Sequence, residues 1–392
     1  MDSYISGDNL LKKNNQIIFG PIPEDRNSSI MVTLSNEAAK SLEYVKELLK
    51  SGMNVVRINC SHDDVKTWEK MIKNVKKASE ELDIKCKISM DIAGPKTRIE
   101  AMYTTLTKPE VKIGDEIFLT GREKMESFYN IDMVIKSTLP EVIPMLKKGD
   151  PVLVDDGMIE GEVKKVYEEG VVLEAKKLLS GKKGKIRIEK GLNFPNTNQN
   201  IPILTEKDLK DLEFIAIHSD IIGLSFVRDS KDIERLQNEL SKILGEEEAS
   251  EKTIMAKIET VEGVNNLPEI IVKGASKNPF CVMIARGDLA VESGYLRLSE
   301  LQEEILWICE AAQIPVIWAT EVLRSMAKTG IPTRAEITDA AMASRADCVM
   351  LNKGKYINET IISLVDILKR MKDHQYKKTS HLRALEIAKI DD

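Results

Sequence analysis

The sequence predicts an α/β fold: a (β/α)₈ barrel of the TIM type carrying an inserted small β-barrel lid domain. Three observations lead there. Short β-rich apolar runs alternate with longer amphipathic stretches, a change of period from 2 to 3.6. Eight such units can be placed along the 392 residues. The runs are nearly continuous in apolar residues, the pattern of strands buried on both faces of a parallel sheet. Eight units point to a closed barrel, with an open doubly wound sheet as the alternative.

Residues 1–28 read as a polar N-terminal arm. The first barrel part, 29–98, holds Met31–Leu34, a helical pattern from Asn36 to Ser51-Gly52, Asn54–Cys60, a helix over about 62–81, and Lys85–Asp91. The rhythm breaks over 99–190, where Gly114-Asp115, Gly149-Asp150 and Asp156-Gly157 punctuate alternating runs such as Pro151–Val154 and Glu162–Val166. An insertion after the third barrel strand lies over the face that carries active sites, where it can act as a lid. The second barrel part, 191–373, begins with a helix near 205–217. Ile221–Phe226, Thr253–Glu259, Phe280–Arg286, Pro315–Thr320 and Cys348–Asn352 then alternate with helices near 230–245, 261–273, 298–313, 333–345 and 357–372. Residues 374–392 read as a charged tail with one peripheral helix.

Composition narrows the function classes. Lys+Arg is 57 against Asp+Glu 63, a net charge of -6, which disfavours nucleic acid or an anionic membrane as the main partner. The N-terminus has no basic region followed by an apolar stretch, and no run of about 20 apolar residues suggests a membrane span. The five cysteines are scattered without a CxxC pair and read as reduced core thiols of a cytoplasmic protein. With four histidines, a His-rich metal site or a His-centred triad is disfavoured.

Catalytic groups of such barrels sit at the C-terminal ends of strands. Arg57, Asn59 and Ser61 alternate at the end of the second run and share one face. Asp91 ends the third, Ser225 stands in the fourth, and Lys257 and Glu259 alternate in the fifth. Arg286-Gly287-Asp288 ends the sixth and Thr320 the seventh. Glu259 and Asp288 are hard oxygen ligands suited to Mg²⁺ or Mn²⁺. Lys257 and Arg57 supply fixed positive charge for a phosphoryl group. Asn59, Ser61 and Asp91 suit a monovalent cation, and Gly287 lets a substrate carboxylate reach backbone N–H groups at a helical turn. The reaction class this suggests is phosphoryl transfer. Plainer readings exist for single members: Lys257–Glu259 as a structural ion pair, Asp288 as a helix cap, Thr320 as a structural strand end. Six polar strand ends together are more specific than any of them.

These segments resemble the pyruvate kinase family. GMNVVRINCSH (52–62), MDIAGPKTR (90–98), VDDGMI (154–159), KGLNFP (190–195), LSFVR (224–228), AKIETVEGVNN (256–266), ARGDLAVE (285–292), WATEVLRSM (318–326) and PTRAEITDAAMASRADCVML (332–351) follow in that family's order. The resemblance implies transfer of phosphate between phosphoenolpyruvate and ADP, giving pyruvate and ATP. It implies Arg57 on the phosphoryl group with Arg98 nearby, and Lys257 on the phosphoryl in flight and the enolate oxygen. Glu259 and Asp288 would hold Mg²⁺ (or Mn²⁺), and Asn59, Ser61, Asp91 and the Ile92 carbonyl would hold K⁺. The backbone of Ala285, Arg286 and Gly287 would meet the substrate carboxylate, with Ser225 also on the substrate side. Thr320 would lie at the enolate face, in the proton relay to C3.

The sequence also departs from that pattern. Val32-Thr33-Leu34-Ser35-Asn36 lacks the Gly-Pro of the family's first strand end. Asn352-Lys353-Gly354-Lys355 replaces Ser-Gly-Glu-Thr at the eighth. Both departures fall on the nucleotide side. The chain also stops soon after the eighth helix, without the family's C-terminal effector domain. Two other functions therefore stay open: enolate chemistry of lyase or aldolase type with a different acceptor, and a non-catalytic binding relative. A homo-oligomer, guessed to be a dimer through outer barrel helices, is expected.

Overall fold

The fold is described from a computed structural model, which covers residues 2–21, 23–179, 181, 183–195, 197, 201–376 and 379–380. Contacts divide the chain into two compact units. The first comprises Met1–Ala93, Glu206–Arg286 and Ser299–Asp392, and the second Gly94–Thr205 and Gly287–Leu298.

The first unit is built on a closed barrel of eight parallel strands. They are β1 (Ser29–Thr33), β2 (Val55–Asn59), β3 (Lys87–Asp91), β4 (Ile221–Leu224), β5 (Thr253–Ile258), β6 (Phe280–Ala285), β7 (Val316–Ala319) and β8 (Cys348–Leu351). Neighbours pair in chain order and β8 closes onto β1, with Ser29 opposite Cys348 and Val32 opposite Leu351. Nearly every strand residue is buried, the pattern of a sheet with a packed interior and a helical jacket.

Alternation along each strand explains both ends of the barrel. Residues i and i+2 share a face. Met31, Val55, Ile221, Met255, Cys281, Met283, Ile317, Cys348 and Met350 pack in one buried cluster. Advancing by twos toward the C-terminal ends, the same faces turn polar: Thr33, Arg57, Asn59, Asp91, Ser225, Lys257 and Glu259. The apolar end is rich in sulfur, whose adaptable side chains fill an irregular space.

The helices start and stop on local signals. Ser41 caps Leu42–Ser51 by accepting from Tyr44 N, and Gly52 ends it at φ 117°. Asp64 caps Val65–Leu82 through Thr67 N, and Thr333 and Glu336 form a capping box on Arg334–Ala343.

The segment expected as a polar arm instead carries an 18-residue helix, Asp2–Phe19. Leu11, Asn15, Ile18 and Phe19 are buried at helical spacing, and Ile18 and Phe19 join the apolar barrel cluster. Asn15 disguises the stripe, yet its Nδ2 donates to Asp347 Oδ1 at 2.5 Å. Of the expected tail, 377–378 and 381–392 lie outside the described residues.

The second unit is a seven-stranded sheet. Its order is Leu192–Asn193, Pro151–Val154, Ile159–Val166, Gly170–Leu178, Glu116–Thr120, Met133–Ser137 and Ile99–Thr104. The two edge strands meet through Ile99 N to Lys190 O (2.8 Å), Glu189 N to Ile99 O (2.8 Å) and Leu192 N to Thr97 O (2.9 Å). The sheet thereby closes around its own core, which includes Ile117, Leu119, Val152, Val163 and Leu173. The five cysteines are free, and burial pushes the thiols of Cys60, Cys86, Cys281 and Cys348 up, Cys86 to about 12. No helix among the described residues is long and apolar enough to cross a membrane.

Candidate active site

The C-terminal end of the barrel gathers the polar strand ends into one buried network. Arg57 donates from Nε to Asp91 Oδ2 at 2.8 Å, and its Nη2 lies 2.8 Å from the same oxygen. Its third arm, Nη1, donates to Thr33 Oγ1 at 3.0 Å. Register explains the set: Thr33 is opposite Arg57 across β1 and β2, and Asn59 is opposite Asp91 across β2 and β3. The Arg57–Asp91 pair is therefore diagonal, within reach of a long side chain.

Lys257 enters from β5. Its Nζ donates to Ser225 Oγ at 2.7 Å and lies 3.2 Å from Glu259 Oε1 and 3.5 Å from Asp91 Oδ2. Ser225 Oγ in turn donates to the Ile92 carbonyl at 2.7 Å. Glu259 Oε2 accepts from Phe226 N at 2.6 Å, where Phe226 has φ 59°. Asn59 Oδ1 accepts from Ser61 N at 3.2 Å. Gly223 makes room for this arrangement: a Cβ there would fall 2.6 Å from Asp91 Oδ1.

Electrostatics keep Asp91 and Lys257 ionised. Burial by itself would raise the Asp91 carboxyl, but Arg57 and Lys257 outweigh it and hold the group below its ordinary value. Burial likewise works to lower Lys257, but Glu259 and Asp91 outweigh it and hold the ammonium above its ordinary value. Asp91 Oδ1, buried beside them, has no hydrogen-bond partner.

Ala285 ends β6 in the core, and a helix, Arg286–Ser293, follows at once. Arg286 turns its side chain to the carbonyls of Ala319 and Thr320. Thr320 follows β7 with φ 64°, a strained conformation for a β-branched residue.

The second unit holds its own polar group. Lys96 Nζ donates to Asp288 Oδ1 at 2.5 Å and lies 3.9 Å from Asp156 Oδ1. Asn193 Nδ2 donates to Glu292 Oε1 at 3.5 Å. Burial pushes the Glu292 carboxyl up to about 7, Asp288 adding to the rise and the Asn193 hydrogen bond opposing it. Gly287 and Asp288 open the helix that carries Glu292. Arg98 Nη1 donates to the Glu189 carbonyl at 3.0 Å.

Four of these residues escape sequence reasoning. Thr33 and Lys96 stand inside segments the sequence singles out, but their partners are set by register and by a long loop. Asp339, which accepts from Arg286 Nη2 at 2.9 Å, and Glu292 lie on helices and carry no strand-end signal. Among the described residues, no three or more His, Cys, Asp or Glu side chains cluster as a metal site.

The sequence also answers a family comparison. Residues 25–361 match the family described as pyruvate kinase, barrel domain. The chain belongs to the pyruvate kinase family. Among its relatives, a pyruvate kinase of Debaryomyces hansenii is 33% identical over 344 residues, 86% of this chain and 65% of that protein. One of Trypanoplasma borreli is 34% identical over 356 residues, with 86% and 65% covered. One of Bacillus licheniformis is 31% identical over 371 residues, with 93% and 60% covered. The chain thus spans 60–65% of the length of these pyruvate kinases.

Proposed function

We propose that the chain is a pyruvate-kinase-type phosphotransferase that moves phosphate between phosphoenolpyruvate and ADP, giving pyruvate and ATP. The observation that carries this reading is the buried Arg57–Asp91–Lys257–Glu259 network at the C-terminal end of the barrel. Two fixed cations there can hold a phosphoryl group and the charge that develops as it leaves.

In the forward direction the bond from phosphorus to the enol oxygen breaks. A bond from phosphorus to a β-phosphate oxygen of ADP forms, and the enolate takes a proton at C3. Arg57, oriented by Asp91 and Thr33, binds the phosphoryl oxygens, with Arg98 nearby. Lys257, kept charged by its carboxylate neighbours and aimed by Ser225, stabilises the phosphoryl in flight and the enolate oxygen. The backbone of Ala285, Arg286 and Gly287 receives the substrate carboxylate, and Thr320 serves the proton transfer to C3.

The proposed Mg²⁺ (or Mn²⁺) ligands are Glu259 and Asp288. Two carboxylates suffice where substrate oxygens complete the shell. The proposed K⁺ ligands are Asn59, Ser61, Asp91 and the Ile92 carbonyl. The donor set fits, being all oxygen, and the unpartnered Asp91 Oδ1 is a spare acceptor. When bound, such cations neutralise charge on phosphoryl and enolate oxygens. The reading places the enzyme in the cytoplasm as a homo-oligomer, a dimer being the simplest case.

A coupled assay with phosphoenolpyruvate, ADP, Mg²⁺ and K⁺ tests the reading. Pyruvate should form, and Lys257→Ala should lower the rate about a hundredfold or more. No turnover with any nucleoside diphosphate overturns it. A second reading keeps the enolate chemistry with another acceptor. The altered segments Ser35-Asn36 and Asn352-Lys353-Gly354-Lys355 favour it. Deuterium entering the pyruvate methyl group in D₂O with Mg²⁺, without turnover of any nucleoside diphosphate, would select it.

A further inference from the structure

The Arg286 side chain has more partners than a backbone role on substrate requires. Its Nε donates to the Ala319 carbonyl at 3.0 Å, and its Nη2 to the Thr320 carbonyl at 2.6 Å. Nη2 also donates to Asp339 Oδ2 at 2.9 Å, and Nη1 pairs with Asp339 Oδ1. The guanidinium lies over the Trp318 ring, 4.7 Å from its centroid, and Trp318 Nε1 donates to Asp339 Oδ1 at 3.4 Å. These contacts tie the end of β6 to the end of β7 and to the helix Arg334–Ala343.

They converge on strained backbone. Thr320, Glu321 and Leu323 have φ of 64°, 63° and 48°. Non-glycine residues hold such angles only where the surroundings over-determine them. A planar fork that meets two carbonyls along one edge and a carboxylate along another does this, where a lysine offers only a point charge. Sub-ångström changes in that turn would swing the Thr320 side chain, because its Cβ direction follows its own φ and ψ.

We propose that Arg286, held by Asp339, is a positioning residue that pins the left-handed turn Thr320–Leu323 and so aims the Thr320 hydroxyl. The inference rests on the reading of Thr320 as serving proton transfer to C3. It assigns the Arg286 side chain a task separate from its backbone, and makes proton delivery, more than substrate binding, depend on it. A merely structural ion pair would lower stability and leave that balance untouched.

The test uses the full chain and two readouts. The first needs no activity: amide hydrogen exchange across 318–326 in unliganded Arg286→Met should speed up about tenfold. Exchange in β8 should stay as in the unsubstituted protein. The second is Mg²⁺-dependent deuterium entry into the methyl group of pyruvate. It should fall about a hundredfold in Arg286→Met, the scale of a 1 Å misplacement, while the Kd for phosphoenolpyruvate changes less than about threefold. In a Thr320→Ala background the same substitution should add no further loss, because both act through one group. Asp339→Asn, which releases the guanidinium without removing it, should show both effects in weaker form and serves if Arg286→Met does not fold. Unchanged amide exchange across 318–326 overturns the proposal, as do multiplicative losses in the double variant. Absence of deuterium entry in the unsubstituted protein overturns the reading of Thr320 instead, and amide exchange alone then decides the clamp.

Discussion

Replacing Lys257 with methionine perturbs the network in a way whose size the structure sets. Methionine keeps much of the length of the side chain and removes only the charge and its donors. Lys257 is 8% exposed, Glu259 3% and Asp91 fully buried. The substitution leaves Asp91 compensated, because Arg57 still holds it through two contacts at 2.8 Å. Glu259 loses the cation 3.2 Å away, and Ser225 Oγ loses its donor at 2.7 Å. Removing one partner of a buried pair costs about 3–5 kcal/mol. The retained Arg57 places the expected loss near the lower end, about 3 kcal/mol.

The pH dependence sharpens this expectation. In the unsubstituted protein Lys257 is held above its ordinary value and stays charged across neutral pH. In the variant a buried carboxylate lacks its cation, and taking up a proton relieves it. The folded variant then binds a proton that the unfolded chain releases, so its stability falls as pH rises. The deficit should therefore be small near pH 5 and largest near pH 8. Urea unfolding in metal-free buffer with chelator, at pH 5, 6.5 and 8, measures it. A deficit below about 1 kcal/mol, or one equal at all three pH values, would refute the electrostatic account and leave Lys257 as a packing residue.

Two further outcomes follow from neighbouring contacts. Thr33→Val removes the hydroxyl at constant shape and leaves Arg57 Nη1 without its acceptor at 3.0 Å. A hydrogen bond to a charged group is worth about 1.5–3 kcal/mol, so kcat/KM for phosphoenolpyruvate should fall about ten- to a hundredfold and recover in Thr33→Ser. Steady-state kinetics with an unchanged Thr33→Val would remove Thr33 from the site. Glu292, raised from 4.5 to about 7, stabilises the fold as a neutral acid below pH 4.5, and that contribution is lost as pH rises through about 7. At 1.36 kcal/mol per unit the shift corresponds to about 3 kcal/mol at most. Calorimetric melting from pH 5 to 8 should show a shallower decline for Glu292→Gln; an equally steep decline means that Glu292 does not carry the dependence.

What the sequence made legible is the part ruled by short-range pattern. The barrel strands show because their inward faces run from Val55 to Arg57 and Asn59, or from Met255 to Lys257 and Glu259, in steps of two. The N-terminal helix did not show because Asn14 and Asn15 interrupt its stripe. Their amides meet the Gln313 carbonyl and Asp347, about 300 residues away. The Arg57–Asp91 pair needed the strand register, and the Lys96–Asp288 and Arg286–Asp339 pairs needed contacts 192 and 53 residues apart. No periodicity reports those separations. The resemblance to a known family supplied roles for strand-end residues, and it was silent on the side chains that hold them.

The two segments that depart from the family pattern, after β1 and β8, reach the Arg57 guanidinium through Thr33, and the geometry there limits how much they can change. Thr33 Oγ1 accepts from Arg57 at 3.0 Å and donates to Asn352 Oδ1 at 3.4 Å. The first contact is charge-assisted and of ordinary length, whereas an O–H···O contact of 3.4 Å is well beyond its optimum near 2.8 Å. Arg57 is also fixed from the other side by Asp91, whichever residue ends β8. The Asn352 carbonyl therefore contributes little to the orientation of Arg57, and Thr33 contributes most of what β1 supplies. A chain whose segments after β1 and β8 diverged could keep its Arg57–Asp91–Lys257 geometry intact, so under the proposed function the enolate chemistry and the choice of acceptor are separable.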